Sequence, residues 1–245
     1  NCLFYDNFEY MKSISNKVNH EYGRLFPLSG IFENQNLKKY ILNFKDFQLL
    51  ITIVKYWAKQ RNIYGKAFGY LGGISWSLMV VYFLKQAYIN DTLFKIDNSS
   101  ARLSKLVYEF FNFYSKWNWS NAISLINTDF VVQETKKYDN PKSPITILQT
   151  VFPYHNTSSN VNEQSKRIIK NELERAVKVL NDDTLSPIDT YESLCKNLNP
   201  KKMNFNHLIQ FRIEYKNKNE LNHIFMLIKA KSLGFISSLD RALNG

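Results

Sequence analysis

Val54-Lys-Tyr-Trp-Ala-Lys-Gln-Arg-Asn-Ile-Tyr64 is followed, after Gly65-Lys66-Ala67, by Phe68-Gly-Tyr-Leu-Gly-Gly-Ile-Ser-Trp76. From Lys45 to Arg61, Phe47, Leu50, Val54 and Trp57 recur at helical spacing and form one apolar face. Lys55, Lys59 and Asn62 fall at i, i+4 and i+7 and make a separate polar, basic stripe. The glycines after Phe68 mark a turn, and from Ser75 onward the pattern is apolar nearly all round, as in a helix at the middle of a domain. Phe68 to Leu84 carries no charge, but Gly69, Gly72 and Gly73 break its first third. What is left falls short of the roughly 20 residues that cross a bilayer core, so a buried helix and no membrane partner are expected.

Working outward, most of the chain reads as helix. Leu103, Leu106, Val107, Phe110, Phe111 and Tyr114 give a second amphipathic helix that ends near Trp117-Asn-Trp119. Thr128 to Ser143 is polar and reads as an exposed loop. Asn160-Val-Asn-Glu163 carries a helix-start signature ahead of Ile168, Ile169, Leu173, Val177 and Leu180. Asn181-Asp-Asp183 and Ser186-Pro187 punctuate the end of that region, which places a domain boundary after residue 183. Beyond it, Ile209, Phe211, Ile213 and Tyr215 alternate with polar residues, the pattern of a strand with one wet face. A polar turn at Lys216-Asn-Lys-Asn219 and a helix opening at Leu221 follow. The expected fold class is α+β and mainly helical: a helical domain over 1–183, then a small α+β module over 184–245 that the chain end truncates. Asn1 replaces an initiating Met, so the chain is expected to begin inside a longer protein.

Composition excludes several classes. A chain that is 44% hydrophobic and 15% aromatic has the material for a core, so it is not a disordered basic tail. Cys2 and Cys195 lack metal or redox spacing, and two cysteines cannot make a disulfide scaffold, which points to a reducing compartment. His20, His155, His207 and His223 are dispersed, so zinc is not expected. The net charge of +11 is unevenly spread: between Lys38 and Lys85 eight basic residues face one acid, Asp46. Such a field draws polyanions, whereas a bare run of lysines is ordinarily a solvated helix face. The neighbouring Gly72-Gly73 tips the reading, because residues without Cβ let a flat ligand approach the backbone. A triphosphate pocket is the resulting expectation.

These residues resemble the central domain of poly(A) polymerases. Lys55 to Trp76 carries the likeness most specifically, and the Gly-Gly-Ile-Ser-Trp form separates it from the more distant terminal transferases. Three further segments keep order and spacing: Phe110 to Trp119 with its Trp-x-Trp ending, Ser143-Pro-Ile-Thr with Phe152-Pro153, and Asn156-Thr-Ser-Ser-Asn-Val161. The closing strand and helix resemble the start of the family's RRM-like RNA-binding domain. Ser120 stands where the family has Pro, Lys66 where it has Asn, and only Asn16-Lys-Val18 answers to its Asn-Gly-x-Arg-Val.

The resemblance implies an enzyme that adds AMP from ATP to RNA 3′ ends. It assigns Lys55 and Tyr64 to the triphosphate and gives Gly72, Gly73 and Ile74 to the adenine wall. Lys66, Ser158 and Asn16 follow as further nucleotide contacts. Chemistry in the family uses Mg²⁺ or Mn²⁺ held by three carboxylates, two of them in Asp-x-Asp. This chain has no Asp-x-Asp, so it is expected to supply nucleotide- and RNA-binding parts and no catalytic residue. Asp6, Asp182 and Asp183 read as surface or capping carboxylates. Trp57, Trp76, Trp117 and Trp119 read as packing. Implied partners are the RNA 3′ end and 3′-end processing factors; the implied location is the nucleus, or cytoplasm or virion for a large DNA virus. Two other functions compete: a non-catalytic RNA-binding or partner subunit that kept the fold, and a basic helical domain with no nucleotide site.

Overall fold

In a computed structural model of the chain, the residues described are 32–89, 99–126, 143–151, 154–196, 212, 214–228, 231 and 238. Helix α1 (Phe44–Gln60) starts where the side chain of Asn43 accepts a hydrogen bond from the Asp46 amide, meeting one of the donors that a helix start leaves unpaired. Its buried arc is Leu50, Ile51, Val54, Trp57 and Ala58, while Phe47 is only partly covered. The basic stripe is shorter than the spacing suggests. Asn62 leaves the helix with φ of 57°, so only Lys55 and Lys59 share the α1 surface.

The turn between α1 and α2 (Gly73–Ile89) is built differently from the expected diglycine bend. The glycines in backbone conformations that disfavour side chains are Gly65 (φ 120°) and Gly69 (φ 76°). They let residues 65–71 fold back, with the Gly65 amide donating to Leu71 O at 3.0 Å and the Tyr70 amide to Gly65 O at 3.2 Å. Asn160 holds this loop from outside, its side-chain Nδ2 donating to Tyr70 O at 2.8 Å and to Lys66 O at 3.2 Å. Helix α2 is apolar nearly all round, as expected, and is buried from Ser75 through Val81.

Helix α3 (Ser99–Ser115) crosses both α1 and α2. Trp57 lies edge-on to Trp76 at 5.9 Å and to Phe111 at 4.7 Å, so one indole joins all three helices. The Tyr114 hydroxyl donates to Met79 O at 2.7 Å inside this core. A polar link closes the far end: Arg102 of α3 and Tyr88 of α2 both donate to buried Asp46 of α1. Trp57 and Trp76 are fully buried and Trp119 nearly so, which agrees with their reading as packing; Trp117 is only partly covered.

Helix α4 (Glu163–Leu180) packs mainly on α3. Its cap is Asn162, which accepts from the Ser165 amide, so the expected start at Asn160 moves by two residues and frees Asn160 for the loop. Ser186-Pro187, read as closing punctuation, instead caps helix α5 (Pro187–Cys195), with Pro in the first turn, where a missing N–H costs nothing. Helix α5 packs on α4 and α1 although it lies beyond residue 183. Cys195 is buried and free. Between α3 and α4, Ile123, Ile147, Leu148 and Asn156 make isolated bridges rather than a sheet. Residues 218–228 are helical, and Asn217 accepts from the Glu220 amide at their start. The expected loop at 128–143 lies almost wholly outside the described residues, as do Cys2 and Asp6; of the strand expected at 207–216, residues 207–211 and 213 also lie outside them, and the described residues 212 and 214–216 form no strand. No helix among the described residues is long and apolar enough to cross a membrane.

One of the eight basic residues counted around the turn is spent internally. Buried Arg61, at the end of α1, grips Glu172 of α4 through Nε and NH2 at 2.7 and 2.9 Å and donates to Lys196 O at 2.6 Å. Arg175 also binds Glu172 and donates to Ser193 O and Leu194 O, tying in the end of α5. Burial pushes the Glu172 carboxyl up, but hydrogen bonds and charge from Arg61 and Arg175 outweigh it and hold the group below its ordinary value. Replacing Arg61 with Ala leaves that carboxylate under-paired in a largely buried place. Urea unfolding of R61A is expected to show a loss of about 3–5 kcal/mol.

Candidate nucleotide-binding site

Lys55 stands at the margin of the buried arc of α1, one turn after Ile51 and just before Ala58. Its amine is half-buried, and burial together with the nearby Lys59 charge lowers its pKa from the ordinary lysine value. Lys59, further from the core, is exposed, and its amine lies 5.2 Å above the Tyr64 ring. Lys55 opens onto a cleft of about 190 Å³ whose other lining residues are Asn34, Gly73, Ile74, Ser77 and Gln149.

Three parts of the chain meet at this cleft. The start of α2 supplies Gly73, Ile74 and Ser77, and the Ser77 hydroxyl donates to Gly73 O at 3.0 Å. First-turn amides of a helix have no intrahelical acceptor, so this end presents donors and partial positive charge beside Lys55. The glycines are required here for contact rather than for conformation. A Cβ on Gly73 would sit 2.7 Å from the Tyr64 hydroxyl and 3.9 Å from Lys55 Cε, and one on Gly72 would sit 3.1 Å from Lys66 Cγ.

The remaining walls come from 32–37 and 147–151. Fully buried Glu33 accepts from the Thr150 amide at 2.8 Å, the Thr150 hydroxyl at 3.0 Å and the Val151 amide at 3.3 Å. Asn36 Nδ2 adds bonds to Thr150 O and Oγ1. Glu33 thus clamps together the segments that carry Asn34 and Gln149. Burial pushes its carboxyl up to about 7, with the Thr150 and Val151 hydrogen bonds opposing. Gln149 is itself buried, and its carbonyl Oε1 is enclosed with no hydrogen-bond partner. Leaving such an acceptor unpaired costs about 1–3 kcal/mol.

Of the residues expected in the site, Lys55, Gly73 and Ile74 share the cleft, and Tyr64 backs Gly73. Gly72 is buried beneath the Lys66 stem, one step behind the lining. Ser158 is not among the lining residues. It is fully buried, and its hydroxyl is engaged at 2.7 Å with both Ile145 O and Asn156 Oδ1, which stiffens the segment behind Gln149. Asn16 lies outside the described residues. Asp182 caps an exposed turn through Thr184, in keeping with its reading. Asn34, Ser77 and Gln149 escaped the sequence reading. Helical spacing from Gly73 would have found Ser77, whereas nothing local marks the other two.

The arrangement of helices defines a class. The Cid1 RNA terminal uridylyl transferase superposes with a TM-score of 0.54 at 21% identity, over 69% of this chain and 62% of that one. A cytoplasmic RNA terminal U-transferase gives 0.52 at 21% identity, over 63% and 59%. Within that fold the sequence is more specific: residues 46–197 match the poly(A) polymerase central domain, and the chain belongs to that family. Nuclear poly(A) polymerase 1 of Arabidopsis thaliana is 31% identical over 62% of this chain, and the poly(A) polymerase of Dictyostelium discoideum 26% over 71%. The chain spans only 21% and 20% of those two proteins.

Two outcomes follow from this geometry. Ala at Gly73 should destabilise the protein by about 1–3 kcal/mol through overpacking. Adding Tyr64→Phe should relieve it, because without the hydroxyl the next ring atom is 3.8 Å away; a double-mutant cycle by thermal unfolding reads the coupling. For Glu33, a folded-state pKa near 7 against an ordinary 4.5 means the native protein holds the extra proton between those values. Its contribution to stability is therefore full below about pH 4.5 and is lost as pH rises through 7, on the order of 3 kcal/mol. Urea midpoints from pH 5 to 8 should show that fall in the wild type and a flatter profile in Glu33→Gln.

Proposed function

We propose that the parent protein is a polynucleotide adenylyltransferase that extends RNA 3′ ends with AMP from ATP. In this reading the present chain supplies the wall that holds the incoming nucleotide. The observation that carries it is the half-buried Lys55 amine standing beside the first turn of α2, in a cleft floored by Gly73. A partly desolvated cation and a helix N-terminus both favour the same ligand charge, and a triphosphate presents it. Tyr64, held against Gly73, donates its hydroxyl toward the phosphates, while Gly73 and Ile74 offer the base a flat surface.

Lys55 strengthens its hold as negative charge collects on the departing pyrophosphate. The described residues contain no group of three His, Cys, Asp or Glu that could bind a metal ion. They do not fit the Mg²⁺ or Mn²⁺ pair the family implies, and no metal-dependent step is assigned to them. Poly(A) tail synthesis in the nucleus is supported by the names of the nuclear poly(A) polymerases among the relatives, and RNA 3′ ends and 3′-end processing factors are the partners this reading adds. We place the RRM-like module after Lys196 rather than after Asp183, since α5 packs with the helices before it.

ATP titration of the full-length protein tests this reading. Lys55→Ala should weaken binding by about 1–3 kcal/mol, the range for a hydrogen bond to a charged group. Unchanged ATP affinity would remove Lys55 from the site. Salt-sensitive RNA binding with no ATP binding at all would instead support a non-catalytic RNA-binding subunit.

A further inference from the structure

We propose that the groove between α2 and α3 is a docking surface for an acidic amphipathic helix of a partner protein, with an apolar side chain seated on Phe113 and Trp117 and carboxylates at Lys105 and Lys116. This is independent of the nucleotide reading. The groove has a volume of about 470 Å³ and is lined by Phe83, Gln86 and Ala87 of α2. Gln86 lies about 18 Å further along that helix than Ile74 of the nucleotide cleft. The floor of the groove is Phe83, Ala87, Phe113 and Trp117, and its rim is polar. An apolar floor inside a polar rim is the anatomy of a protein–protein contact.

The rim selects the occupant. Lys105, Glu109 and Asn112 stand at i, i+4 and i+7 on α3, and Lys116 follows its last residue. From Lys105 to Lys116 the stripe runs about 16 Å, which suits a helix of similar length laid alongside. Both lysines are exposed, and neither has an ion pair among the described residues. The two cations mark the ends and Glu109 stands between them, so the complement is a segment with acids at its ends and none at its centre. A net charge of +11 draws such a partner and repels a basic one. RNA fits less well, because its phosphates would have to run past Glu109. Phe113 also leans at 59° to Phe83 and at 32° to Trp117, which leaves no single plane for a base. A bulky aliphatic or aromatic side chain fits that notch.

The test is fluorescence anisotropy with full-length protein and two labelled helical peptides of about four turns each. Both carry Leu, Phe and Leu at i, i+4 and i+7; one has Glu in its two end turns and the other has Lys at those positions. Wild type should bind the glutamate peptide about tenfold more tightly than the lysine peptide. Reversing both rim charges together, with Lys105→Glu and Lys116→Glu, should invert that order, which general attraction to a basic protein would not do. Asn112→Trp, which fills the groove from a partly exposed position, should weaken both peptides. Thermal unfolding checks each variant, and if Asn112→Trp unfolds, the charge reversal at two exposed positions decides. Binding of neither peptide to wild type, equal binding of both, or an order that survives charge reversal overturns the proposal. So does a groove that takes nucleic acid instead, seen as charge reversal weakening single-stranded oligo(A) while leaving the glutamate peptide unaffected. ATP titration of Lys55→Ala reports on the nucleotide reading alone, so the two can fail separately.

Discussion

Trp57 is wedged without solvent exposure between Trp76 of α2 and Phe111 of α3, and the cleft follows from that contact. A buried indole at the meeting point of three helices sets the rotation of α1, since turning the helix would bring charge into the aromatic core. Once that rotation is set, Ile51 and Ala58 face inward and Lys55 falls at the edge of the covered arc. The same indole fixes Trp76, and with it the start of α2 three residues earlier. A cation and a helix N-terminus are therefore brought together by apolar packing on the far side of α1, without any direct bond between them.

Close approach does the rest. Tyr64 can lie against α2 only because Gly73 has no Cβ, and the Lys66 stem covers Gly72 for the same reason. The two glycines that actually bend the chain, Gly65 and Gly69, stand before the conspicuous pair. Conformational and steric uses of glycine are thus divided between neighbouring positions, and substitutions at them should fail for different physical reasons.

Buried polar groups shape the other wall. Glu33 and Asn36 on one segment, Thr150 on another, and Asn156 with Ser158 behind them are satisfied almost entirely by backbone and by one another. Hydrogen bonds of this kind add little net stability, yet they allow few alternative arrangements, because each unmade bond in a dry place is costly. They hold Gln149 between them, although its carbonyl oxygen is itself enclosed without a hydrogen-bond partner. The Arg61–Glu172–Arg175 group plays the corresponding part at the other end of α1, where it joins α5 to the preceding helices.

The sequence by itself determined the local and periodic features: the buried faces of α1 and α3, the all-apolar α2, the packing role of the tryptophans, and the family. These depend on residue spacing within one helix, where the physical cause lies within a few positions. The pairing of Lys55 with Gly73 and Ile74 was legible for the same reason, since only a short turn separates them. The tertiary structure alone decided which basic residue is neutralised, because the acid that binds Arg61 is Glu172, 111 residues away. It also withdrew Ser158 into the protein, moved the cap of α4 from Asn160 to Asn162, and brought Asn34 and Gln149 to the cleft. Those outcomes rest on hydrogen bonds between distant segments, and a donor or acceptor in a sequence carries no mark of the partner that folding will bring to it.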